Sequence, residues 1–105
     1  MAFSGSSLAD GQVGSSAADV YSVPSGKTAI VPTFHAYNTN TTSETVKVYI
    51  KRKGSSNRQV AIAVLAQDES AQFFSDPVTL SSEDAIQAET TTASQVDYVI
   101  TGAIE

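Results

Sequence analysis

Apolar residues along this chain come in short runs, broken about every ten residues by clusters of turn-forming residues, which is the spacing of an all-β domain. The runs predict strands near 18–23, 28–37, 45–52, 59–66, 71–75, 78–80, 85–91 and 95–104. Between them stand PSGK, NTNTTSE, KGSSNR, QDES, DP, SSED and TTAS. Alternation fixes the faces of two runs. Val46, Val48 and Ile50 share one side of the third, with Lys47, Tyr49 and Lys51 on the other. In the last, Val96, Tyr98, Ile100 and Ile104 face inward while Asp97, Thr101 and Glu105 face outward. Pro32 interrupts the second run and marks a sheet edge or a bulge there, because proline cannot donate to a ladder. Eight strands without a helical period describe a single antiparallel β-sandwich, most simply a jelly roll.

Residues 1–16, MAFSGSSLADGQVGSS, break that pattern. Five serines, three glycines and no period of 2 or 3.6 predict an N-terminal extended arm ahead of a sandwich domain over 17–105. Phe3, Leu8 and Val13 are spaced five apart, poor as core but workable as anchors on a neighbouring subunit. The plain alternative is that the segment folds back as an extra edge strand. A chain of 105 residues, 41% of them hydrophobic, makes one domain with one core. Serine and threonine supply 26 positions, which suits exposed strand faces and turns.

Candidate chemistry is sparse. Gly26-Lys27-Thr28 ends like a phosphate-binding loop, but the glycine required five places before Gly26 is Tyr21, and no helix-forming run follows. The segment Pro24-Ser25-Gly26-Lys27 reads as a turn between two strands, with proline presetting the second turn position and glycine taking the left-handed one. A catalytic triad needs a histidine base, and the one histidine, His35, lies mid-strand, facing away from the side that Phe34 takes. Zinc needs three or four nitrogen or sulfur ligands, which one histidine and no cysteine cannot supply. Asp68-Glu69 and Glu83-Asp84 lack the alternating spacing of a calcium loop and read as solvated turn charges. Asn40-Thr41-Thr42 matches a glycosylation acceptor, without a secretory signal ahead of it. These residues predict no catalytic, cofactor-binding or metal site and a protein that is not an enzyme. The first residues show neither a basic start nor an apolar run, and no run nears the length of a membrane span, so the expectation is a chain made in a cytoplasm with no membrane partner.

Charge gives a lead. A net charge of −5 argues against a nucleic-acid partner, since neutralising phosphates takes a basic surface. Yet Lys47, Lys51, Arg52, Lys53 and Arg58, five of the six basic residues, fall within twelve positions. They form either a basic knob that docks on an acidic neighbour or a set of lysines guarding an edge strand.

The order of these segments resembles a known group. VYSVPSGKTAIVPTFHAYNTNTTSETVKVYIKR opening the domain, and LSSEDAIQAETTTASQVDYVITGAIE closing it, are similar to small virion structural proteins of tailed bacteriophages, over roughly residues 18–105. The usual Gly-Asp of the penultimate turn is Glu83-Asp84 here. The resemblance implies a head decoration (cement) protein on the virion, bound to the major capsid protein as a homo-oligomer, a trimer, with no catalytic residue to carry over. A tail or fibre accessory module is the alternative, recognising host-surface carbohydrate with Tyr37 and Tyr49 as stacking platforms.

Overall fold

The structure, a computed structural model, describes residues 4–74 and 76–105. They form nine strands: β1 (Ser4–Gln12), β2 (Ala18–Ser22), β3 (Ala29–Asn38), β4 (Glu44–Lys51), β5 (Asn57–Leu65), β6 (Ser70–Gln72), β7 (Val78–Leu80), β8 (Ala85–Glu89) and β9 (Val96–Ile104). Two antiparallel sheets result. One runs β1-β9-β3-β6, with β7 also on β3, and the other runs β2-β8-β4-β5. The pairing is nested: β1 takes β9, β2 takes β8, β3 takes β6 and β4 takes β5, as in one long folded ribbon wound around a core.

The inward residues of both sheets meet in that core. Val46, Val48 and Ile50 come from β4, Val96, Tyr98 and Ile100 from β9, and Phe34 lies fully buried at the centre. Its ring meets Phe73 edge-on at 5.6 Å and Phe74 at 5.9 Å, with Tyr98 tilted against it at 5.9 Å. Such contacts add about 0.5–1.5 kcal/mol each beyond burial. Each of the eight strands predicted from the pattern has a counterpart, with ends within about three residues, the widest difference being the end of β6 at Gln72.

Pro32 lies where the β3–β9 register shifts, between Ile30 and Thr33, so the break in the apolar run is a bulge. Opposite it, Gly102 is packed so closely that a Cβ there would stand 2.2 Å from the Ile30 carbonyl oxygen. The Pro24–Lys27 turn forms, closed by Lys27 N–H donating to Pro24 C=O at 3.1 Å, with Gly26 at φ 80°. Proline holds its first position rather than the second, and Ser25 takes the second.

The arm expected over residues 1–16 is instead a strand across Ser4–Gln12. It pairs antiparallel with β9 from Ser4 opposite Ile104 to Gln12 opposite Asp97. The register shifts at Leu8, which is half-buried against the core, and Val13 is fully buried. Val13 also donates to Val96 C=O at 2.9 Å and accepts from Ser94 N–H at 3.1 Å. Leu8 and Val13 are thus anchors inside this domain, not on a neighbour. Phe3 lies outside the described residues. The segment orders because β9 offers a row of backbone groups that need partners, so a serine- and glycine-rich composition does not prevent pairing.

Candidate functional site

The basic cluster is divided between two environments. Arg52 and Lys53 follow β4 in its hairpin with β5, and both turn toward the chain's own acids. Asp84, buried ahead of β8, accepts from Arg52 Nη1, from the Lys53 N–H and from the Ser81 N–H, each at 2.9 Å. Arg52 also donates to Thr79 C=O at 3.0 Å, and Lys53 Nζ sits 2.6 Å from Glu83 Oε2. Burial pushes the Asp84 carboxyl up. The Lys53 and Ser81 amides and the Arg52 guanidinium outweigh that and hold it below the usual aspartate range. Glu83-Asp84 is therefore a clamp joining the β4–β5 hairpin to the β7–β8 turn, with one buried member, rather than a solvated pair. Its cost is local: Glu83 stands at φ 64°, the left-handed region where glycine fits best.

Lys47 and Lys51 lie on the outer face of β4. Lys47 stands between Ile62 of β5 and Glu89 of β8, and Lys51 between Asn57 and Ala85. Because β4 has a strand on each side, its lysines do not guard an edge. The edge is β5, and Arg58 stands near its start, opposite Ile50.

The face of β5 is the feature that the sequence pattern missed. Register with β4 sets Ala61 opposite Val48, Ala63 opposite Val46 and Leu65 opposite Glu44, so the two alanines fill the inner side. The larger Ile62 and Val64 point outward, 56% and 64% exposed. A shift between Val48 and Tyr49 leaves Val60 as the extra residue, 52% exposed. Beside it, a groove of about 920 Å³ opens between the β4–β5 hairpin and the loop before β7. Ile50, Val60, Phe73, Phe74 and Val78 line it, with Arg58 and Asp76 also at its walls. The signal that could have revealed this side is a segment apolar at both parities and uncharged from Gln59 to Gln67.

The remaining candidates are dispersed. His35 is exposed on the outer face of β3, opposite Val99 and Gln72. Gly26 donates its N–H to Ser82 Oγ at 2.8 Å, as a turn residue does. Tyr37 and Tyr49 project from the outer faces of different sheets, so they form no common stacking platform. Tyr37 donates to Asp68 at 2.9 Å, and Tyr49 donates to Glu89. Each hydroxyl is held above its ordinary pKa first by that bond and then by burial and the carboxylate charge. Among the described residues, no group of three or more His, Cys, Asp or Glu side chains is placed to hold a metal ion.

Comparison with protein-family models, with curated proteins and with solved structures found no match to this chain.

Proposed function

We propose that this chain is a structural protein of a tailed-bacteriophage particle, a decoration protein that binds the outer head surface, bridges coat subunits and stabilises the shell. The observation that carries the reading is the β5 side. Val60, Ile62 and Val64 are more than half exposed on one strand at a free sheet edge. A domain that works alone guards such an edge with charge, proline or a covering loop, and a clustered apolar surface marks an interaction site.

Two further points support the role. Two packed antiparallel sheets with nested pairing suit the jelly roll we propose, an architecture on which viral shells are built. Lectins share it, so the architecture is compatible with the role without selecting it. The particle context rests on the resemblance read from the sequence of residues 18–105 alone. The alternative, a tail module that binds host carbohydrate, has less support because Tyr37 and Tyr49 face opposite ways.

The test is fractionation of particles from cells that make the chain. The protein should band with heads in a density gradient, and heads lacking it should release their DNA at lower temperature. Recovery with tails alone favours the carbohydrate-binding module. Absence from every particle fraction overturns the role.

A further inference from the structure

We propose that β5 pairs with β5 of a second copy of this chain, antiparallel about a two-fold axis at Ala63, joining two four-stranded sheets into one of eight.

Among the described strands at sheet ends, β1 and β2 carry Asp10 and Asp19, and the uncharged β6 and β7 are only three residues long, whereas β5 runs nine residues with no charge after Arg58. Its regular stretch, Ala61–Leu65, reads small, large, small, large, large, and is self-complementary when reversed about Ala63. In that register Ile62 stands opposite the partner's Val64, and Val64 opposite the partner's Ile62. The four side chains make one apolar cluster on the outer face, where each copy alone leaves them more than half exposed. Ala63 meets its own copy, and Ala61 meets the partner's Leu65.

Charge favours the same antiparallel direction. Arg58 lies near the start of β5, and Asp68 and Glu69 lie in the turn that follows its end at Leu65. The two-fold brings the Arg58 end of each copy level with the partner's Asp68 end, two pairs of opposite sign. A parallel, in-register pairing would set arginine on arginine and aspartate on aspartate instead. The edge also has backbone groups to satisfy, because among the described strands β5 is bonded to β4 alone. The contact is smaller than the roughly 1,200–2,000 Å² of standard interfaces, so the dimer is a weak one. High local concentration on a particle surface would fill it.

This two-fold differs from the three-fold expected from resemblance. It extends the assembly reading but stands on the edge itself, so it can fail on purified protein without touching the particle role.

Sedimentation of the purified chain between about 1 μM and 1 mM tests it, with circular dichroism confirming that each variant is folded. The wild type shifts from monomer to dimer, whereas Val64→Lys stays monomeric with an unchanged fold. Arg58→Asp and Asp68→Arg each weaken the dimer roughly tenfold, since two like-charge pairs replace two opposite ones, and the double swap restores it. Ala63→Cys forms an intermolecular disulfide under mild oxidation, because directly opposed strand residues lie about 4.5–5.5 Å apart at Cα. Ser55→Cys, at the hairpin tip, does not. A wild type monomeric to 1 mM, association of Val64→Lys as tight as wild type, or a double swap weaker than either single change overturns the proposal.

Discussion

Replacing Asp84 by alanine removes one carboxylate and three bonds that close the hairpin against the β7–β8 turn. Two of the donors are backbone N–H groups of Lys53 and Ser81, and the third is Arg52 Nη1. Hydrogen bonds to a charged group contribute about 1.5–3 kcal/mol each. Lys53 and Ser81 are exposed residues, so water reaches the freed amides and the lower figure applies to each. The Arg52 side chain is 53% exposed, and screening limits its share to about 0.5 kcal/mol. The expected loss is about 3.5 kcal/mol, or a fall in Tm of about 14–28 °C for a domain of this size. Arg52→Ala should cost no more than about 1 kcal/mol. Urea unfolding of both variants at neutral pH measures the difference. Acid titration adds a second readout. The folded Asp84 carboxyl lies below its ordinary value, so the unfolded chain takes up the proton first. The clamp's contribution is whole above the ordinary aspartate range near about 3.9 and is lost as pH falls through the lower folded value. Asp84→Asn should remove that dependence. A loss in Asp84→Ala no larger than that in Arg52→Ala would refute the reasoning, because the carboxylate would then serve only an exposed ion pair.

Other substitutions test the frame around this clamp. Asn38 is fully buried, and its Nδ2 reaches the Thr42, Leu65 and Ala66 carbonyls at 2.9–3.2 Å. Asn38→Ala should cost about 1–3 kcal/mol, and Asn38→Asp more at neutral pH, with recovery on acidification as the new carboxyl becomes a donor; chemical denaturation at two pH values reads both. Gly102→Ala drives a Cβ to 2.2 Å from the Ile30 carbonyl oxygen, a backbone atom, so it should destabilise by about 2 kcal/mol or more in thermal unfolding. At Glu83, with φ 64°, glycine should exceed alanine by about 1 kcal/mol in the same assay, since both lack the carboxylate and only the left-handed backbone separates them. Deleting residues 2–16 should lower Tm by more than about 10 °C, because it uncovers the β9 edge and removes the buried Val13; an unchanged Tm would restore the free arm.

The strands from Ala18 onward were legible because each carries its own period and its own bounding turn. Pro32 at a bulge and Gly26 at a positive φ followed from what those residues cannot or can do alone. Elements defined by a distant partner were not legible. Ser4–Gln12 becomes a strand through β9, about ninety positions away, and nothing in its serines and glycines announces that. Asp84 looks like any turn acid until the Lys53 and Ser81 amides converge on it. Arg52 and Lys53 looked like free charge because their acids come from another hairpin. On β5 both parities are apolar, so only register with β4 decides that the alanines face in and Ile62 and Val64 face out.

The central claim is tested most directly by a cryo-EM map of phage particles from cells that make this chain. The account predicts two-sheet density of about 45 × 27 × 20 Å on the outer head surface, spanning adjoining coat subunits. Heads without such density, or the chain traced only at the tail tip, would contradict it.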